Sequence, residues 1–250
     1  MAKKSQTTVF LIGDAELVAE FGTVCHNAGF AVSCKLNTSI AKKNLPSFVK
    51  VSTSIPSSVE FSFELTNSDT AVKKKNLQFL EKHSIPKCTL LTSSVIVTTL
   101  EQATCLKKPQ RLIGMSAFPT LLSQKLIELS PTIHTEQSFV NHATTFFQKL
   151  GKETAIVQDR IGMVMPRILC MLINEAAFAL TENIASPQDI DTAMKLGTNY
   201  PFGPIEWGDR IGFHHVVNVL NAIYNDTHEE RYRTAPLLKQ LATGTKWWGT

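Results

Sequence analysis

The residues best placed to do chemistry begin at one turn. An apolar run at 9–12 ends at Gly13, and a helix-patterned segment follows at once, the arrangement in which a turn offers backbone N–H groups to a phosphate. Here the turn reads Gly13, Asp14, Ala15, Glu16, Leu17, Val18, so two carboxylates occupy the first helical turn, where the helix dipole favours an anion. Each carboxylate within about 6 Å of a phosphate charge would cost roughly 1 to 3 kcal/mol. Elsewhere Glu128 sits in the run KLIEL, and Lys73, Lys74 and Lys75 form a basic run that reads as an exposed face. The histidines are scattered, except that His214 and His215 are adjacent at the start of a helical segment, where surface placement is expected. Cys25, Cys34, Cys88, Cys105 and Cys170 form no CxxC pair and are odd in number, which argues against a disulfide framework or a zinc site and favours a reducing, cytoplasmic setting.

The elements that must position these residues follow from hydrophobic periodicity. Strand 9–12 leads through a turn to Leu17, Val18, Phe21, Val24, Cys25 and Ala28 at helical spacing, then to a strand at 31–34, giving a βαβ unit with parallel strands. Further strands are expected at 49–54, 59–65, 89–92, 111–115 and 154–157, with helices over 70–82 and 135–150 between them. This alternation predicts an α/β fold with a largely parallel, doubly wound sheet over residues 1–158. From Asp159, read as the cap of a long helix, the pattern turns wholly helical, which predicts an all-α domain over 159–250. Within it Ser186, Pro187 and Asp189 start a helix, Gly197 offers a left-handed end, and Pro201, Gly203 and Pro204 turn the chain into a helix carrying Glu206.

Composition bounds the rest. With 250 residues and 43% hydrophobic content, the chain can bury one or two cores unaided. A net charge of +4 suits phosphate-bearing small molecules and falls short of a nucleic-acid-binding face, so no nucleic-acid partner is expected. No apolar run reaches membrane-span length and the amino-terminal residues lack a signal-peptide core, so no membrane partner is expected.

The segment 184–212, IASPQDIDTAMKLGTNYPFGPIEWGDRIG, with INEAAFAL before it, resembles the C-terminal helical domain of 3-hydroxyacyl-CoA dehydrogenases. That resemblance implies a Rossmann-like first domain, NAD as cofactor, oxidation of an L-3-hydroxyacyl-CoA to the 3-oxoacyl-CoA, an acyl-CoA substrate, and homodimerisation through the C-terminal helices. It also assigns positions. Gly13 is the one glycine kept from the GxGxxG turn, with Ala15 and Val18 at the others, and Leu36 followed by Asn37 stands where an acidic residue would hold the ribose. Lys73 matches a lysine that contacts the nucleotide, while Lys35, Lys42 and Lys43 raise NADP as an alternative. Ser116 occupies the place of the family's general-base histidine, Glu128 that of its orienting glutamate, and Ser93 that of a substrate-holding serine. Leu91 and Pro166 stand at two asparagine positions, and the helical arm expected between the second strand and residue 49 is missing. A serine without an activating neighbour does not accept a proton at neutral pH as imidazole does. Glu128 acting through a water would be the remaining base if burial raised its pKa. Three readings follow: a dehydrogenase with a rebuilt site, a non-catalytic binder of a CoA thioester or partner protein, and an oligomerisation scaffold. The lost histidine, lost glycines and missing arm favour the second.

Overall fold

The computed structural model describes residues 7–38 and 45–244. The chain divides into two compact units after Met163. In the first, an eight-stranded sheet runs in the order β3-β2-β1-β4-β5-β6-β7-β8, where β1 is Thr8–Gly13, β2 Ala31–Leu36, β3 Lys50–Val51, β4 Phe61–Leu65, β5 Thr89–Ser93, β6 Leu112–Met115, β7 Leu126–Pro131 and β8 Glu153–Ile156.

The sequence of β1, TVFLIG, explains why both faces are covered. Successive side chains of a strand point to opposite faces. Val9 and Leu11 accordingly enter one core with Leu17, Val18 and Phe21 of α1 (Ala15–Asn27) and Phe146 and Phe147 of α4 (Gln137–Lys149). Phe10 and Ile12 enter another with Leu77 and Leu80 of α2 (Thr70–His83) and Ala103 of α3 (Thr99–Ala103). A strand buried on both faces reads as an unbroken apolar run, as this one does.

The first six strands are parallel, and β7 turns back antiparallel to β6, with Gly114 opposite Ser130 and Met115 opposite Leu129. The sheet is therefore mostly parallel, as expected, but β7 was not foreseen: LIELSP carries a carboxylate and ends in proline, so it lacks the apolar run of its neighbours. The expected strand at 49–54 shrinks to two residues. The long helix α5 (Met165–Thr181) starts at Met165, with Pro166 in its first turn where a missing N–H costs nothing. Asp159 does not cap it. Its carboxylate instead accepts the backbone N–H groups of Thr99 and Leu100, each at 2.7 Å, and so caps α3.

The second unit is helical. Ser186 caps α6 (Pro187–Thr198) by accepting the Asp189 N–H at 3.1 Å and donating to the Asp189 carboxylate at 2.6 Å. Gly197 lies inside that helix, and Asn199, at φ 57°, supplies the left-handed end. Asp191 accepts the N–H groups of Ile205 (2.8 Å) and Glu206 (3.1 Å), capping α7 (Pro204–Ile211) from its neighbour. A Cβ on Gly203 would lie 2.1 Å from that carboxylate, which is why the turn needs glycine. Helix α8 (Phe213–Thr227) and α9 (Pro236–Leu241) complete the unit. His215 is buried at 2% exposure, not a surface residue, while His214 is exposed.

Candidate active site

Parallel strands β1, β2, β4 and β5 end on one edge of the sheet, and ligands of open α/β sheets bind outside that carboxyl edge. Gly13 ends β1 at φ 151°, and a Cβ there would lie 2.5 Å from the carbonyl carbon of Leu65. The close approach of β1 to β4 alone therefore demands glycine.

Asp14 follows as the N-cap residue of α1, yet its carboxylate makes no cap bond to the helix. It reaches sideways. One oxygen accepts Asn37 Nδ2 (2.9 Å) and Ser68 Oγ (2.8 Å), and the other accepts the backbone N–H of Asn67 (2.7 Å). The segments following β1, β2 and β4 are thus tied to one carboxylate. Glu16 is exposed on the first turn of α1, and Val18 is wholly buried in the seam between helix and sheet.

The polar chain continues beneath. Asn76 Nδ2 reaches Asn37 Oδ1 (2.9 Å), Thr66 Oγ1 (3.1 Å) and Glu64 Oε1 (3.3 Å). Glu64 pairs with Lys73, whose Nζ also donates to the Ser93 carbonyl at 2.9 Å. Lys73 is 1% exposed and Glu64 fully buried, so Lys73 does not belong to an exposed basic face. Gln102 Nε2 donates to the same Ser93 carbonyl (3.1 Å) and to Ser94 Oγ (3.1 Å). Lys35 lies 4.0 Å from the centre of the Phe79 ring. Lys42 and Lys43 lie outside the described residues.

Ser93, Ser116 and Glu128 are all buried. Ser93 Oγ donates to Asn67 Oδ1 at 2.6 Å, with the Ala117 carbonyl at 3.1 Å, and Asn67 Nδ2 donates to that carbonyl at 2.8 Å. Ser116 accepts the Glu128 N–H on its hydroxyl (3.0 Å) and gives its own N–H to the Glu128 carbonyl (3.1 Å). The fold therefore brings Ser116 beside Glu128, with Ser93 one residue away through Ala117. Of these, Lys73 reaches the backbone carbonyl of Ser93 while pairing with Glu64, and Gly13 joins through the Asp14–Asn67 contact. The loop after Ser116 is pinned by Glu20 of α1, which accepts the N–H groups of Thr120 (2.8 Å) and Ser123 (3.0 Å). Burial pushes the Glu20 carboxyl above its ordinary value, and these two N–H groups pull it partly back. His142 on α4 meets Thr89 Oγ1 at 2.8 Å, and burial lowers its pKa.

The same two units are found in known proteins. Residues 9–160 match the 3-hydroxyacyl-CoA dehydrogenase NAD binding domain, and residues 162–247 match the 3-hydroxyacyl-CoA dehydrogenase C-terminal domain. The chain belongs to the 3-hydroxyacyl-CoA dehydrogenase family. A 3-hydroxybutyryl-CoA dehydrogenase of Bradyrhizobium diazoefficiens is 32% identical over 179 residues, 68% of this chain and 60% of that protein. The mitochondrial hydroxyacyl-coenzyme A dehydrogenase of Sus scrofa is 28% identical over 223 residues, 87% of this chain and 70% of that one. The crystal structure of the (S)-3-hydroxybutyryl-CoA dehydrogenase from Ralstonia eutropha superposes with a TM-score of 0.79 at 25% identity, covering 96% of this chain and 94% of that one. The first bacterial relatives are matched over only about three fifths of their length, 60% and 62% in two cases.

The first unit has the scaffold of the family's NAD binding domain, and NAD is the cofactor that this resemblance implies. The residues that sequence reasoning missed are Thr66, Asn67, Asn76 and Gln102. Three of them had a signal: Thr66 and Asn67 directly follow a strand end in LTNSD, and Asn76 lies inside an amphipathic helix in KKKN.

Proposed function

We propose that this 3-hydroxyacyl-CoA dehydrogenase homologue has lost or strongly reduced the NAD-dependent oxidation of L-3-hydroxyacyl-CoA to 3-oxoacyl-CoA that its family membership implies, and that it binds a CoA thioester or a partner protein without turning it over. The observation that carries this reading is the Asp14 carboxylate. It stands at the start of α1 and is held by Asn37, Asn67 and Ser68, where a dinucleotide turn would present N–H groups to pyrophosphate. A carboxylate fixed at this turn repels a phosphate brought to the same helix start, so the residues at this turn do not fit NAD. The proton-transfer position supports the same reading. Among the described residues the Ser116 hydroxyl has no basic partner, only an amide donor from Glu128, and removing a positioned base costs roughly 10²- to 10⁴-fold in rate.

Titration with NAD(H) and NADP(H) by calorimetry, followed by an acetoacetyl-CoA reduction assay, tests it. Near-micromolar dinucleotide binding with turnover would sink it. A second reading, a dehydrogenase with a rebuilt site, is favoured by the burial of Glu128 beside Ser116, and it requires that Glu128→Gln abolish any turnover found.

We also infer a homodimer formed through the C-terminal helices, with assembly as a scaffold role in its own right. Helix α6 buries none of its side chains within the chain, and Ile184 and Leu196 are 69% and 83% exposed. Such an apolar surface is more in keeping with a subunit contact than with solvent. A monomer in analytical ultracentrifugation would overturn this part. The scattered thiols favour a cytoplasmic setting. No helix among the described residues is long and apolar enough to cross a membrane.

A further inference from the structure

On the opposite edge of the first unit, a cavity of about 600 Å³ opens between the C-terminal turn of α2 and the segment that leads from α3 into β6. The topology fixes its distance from the Asp14 network. Helix α2 ends and β5 and β6 begin here, so this is the amino edge of the parallel strands, and Asp14, Asn67 and Ser93 lie at the carboxyl edge.

The cavity's lining is unbalanced in charge. Lys82, Lys107, Lys108 and Arg111 contribute four cations, and Glu81 the one carboxylate. Both Glu81 oxygens are committed, accepting the backbone N–H groups of Lys107 (3.1 Å) and Lys108 (2.7 Å), so this acid shapes the basic segment rather than pairing with its ammonium groups. None of the three lysines has an ion-pair partner among the described residues. Arg111 forms the inner wall at 3% exposure. Its terminal nitrogens donate to the carbonyls of Glu81 (2.8 Å) and Ile85 (2.9 Å) and to Ser84 Oγ (3.0 Å), while its Nε is buried with no acceptor. The guanidinium is hydrogen-bonded only to neutral acceptors, burial disfavours its charge, and the nearby Glu81 carboxylate offsets this in part, so a further anion in the cavity would be stabilised by it. Pro86 and half-buried Cys105 supply an apolar patch beside the cations.

We propose that this cavity is a second binding site, separate from the dinucleotide crevice, for a nucleotide-sized phosphate ester: its phosphates against Lys107, Lys108 and the Arg111 wall, and its base against Pro86 and Cys105. The volume falls within the range of small-molecule sites, and cation pairs of this kind bind phosphate through charge-assisted hydrogen bonds. The site stands independently of whether the crevice accepts NAD.

The test uses the full chain with ADP and inorganic pyrophosphate as probes. Calorimetry is expected to give saturable ADP binding that is roughly tenfold or more weaker in Lys107→Gln/Lys108→Gln. Both lysines are exposed, so the variant keeps the fold. Saturating ADP is expected to slow alkylation of Cys105 by iodoacetamide, with the site read by mass spectrometry, which distinguishes this cavity from the crevice. Absence of binding at millimolar ADP, unchanged affinity in the double variant, or unprotected Cys105 would each overturn the site. Pyrophosphate binding as tightly as ADP would overturn its assignment to a nucleotide-sized ligand.

Discussion

Ser116 and Glu128 exchange backbone-anchored hydrogen bonds: the serine N–H goes to the glutamate carbonyl at 3.1 Å, and the glutamate N–H comes back to the serine hydroxyl at 3.0 Å. The pair extends the β6–β7 ladder by one rung, using a side chain where a backbone carbonyl would serve in a regular sheet. The position that the family resemblance would assign to a general base is thus engaged in the sheet's hydrogen bonding.

Ser116→Ala should therefore act on stability. It leaves the buried Glu128 N–H without its acceptor, at a cost of about 1 to 3 kcal/mol. Urea unfolding checks this, and a variant as stable as the parent would show that the contact carries no weight.

Freeing Asp14 should change ligand affinity and stability in opposite senses. Asp14→Ala with Ala15→Gly and Glu16→Gly removes both carboxylates and restores a glycine, so affinity for NAD should rise in calorimetry, while the loss of the three side-chain contacts lowers the melting temperature. Unchanged affinity would mean that these residues are not the obstacle.

Lys73 and Glu64 form an ion pair in the middle of the first unit, both essentially inaccessible to water. Removing one partner strands the other, so Lys73→Met should cost about 3 to 5 kcal/mol, and Lys73→Met/Glu64→Leu should recover much of it. The same loss in single and double variants would contradict this. If Lys73 instead served a nucleotide, its loss would show in ligand affinity with stability intact.

Glu20 gives a pH signature. Its carboxyl is raised above the ordinary 4.5 chiefly by burial, so its contribution to stability is complete below 4.5 and declines as pH climbs through the raised native value. The parent's stability advantage over Glu20→Gln should be larger at acidic than at neutral pH in paired urea titrations. A pH-independent difference would exclude this role.

Thiol reactivity tests the core. Cys25, Cys34, Cys88 and Cys170 are buried, with Cys34 pushed up to about 11 by desolvation, and Cys105 alone is half-exposed. An aromatic disulfide reagent at mildly alkaline pH should modify Cys105 first and the other thiols only on unfolding. Rapid reaction of a second thiol would show that the core opens.

Much of the scaffold was legible in the sequence because its signals are local. The apolar run in TVFLIG, helical spacing from Leu17 to Cys25 and the Ser186 cap are each set by residues within a few positions of one another. The parts that were not legible depend on partners remote in sequence. Asp159 has the chemistry of a cap, as read, but serves α3, sixty residues back, because folding sets the two side by side. LIELSP becomes a strand only because β6 offers it an edge. Lys73 reads as one of three exposed lysines until α2 turns it onto Glu64. The candidate site was legible at the level of which positions matter. The hydrogen bonds among Asp14, Asn37, Asn67 and Ser93 were not, since they join four separate strand ends.

The Asp14 knot also bears on how the first unit behaves without any dissolved ligand. A carboxylate attached to the chain sits beside its donors at an effective concentration in the millimolar range or above. It cannot diffuse away, so the loops at the carboxyl edge keep this partner at every protein concentration. The ends of β1, β2 and β4 are therefore held together by a covalently attached partner whose contacts do not depend on any dissolved molecule.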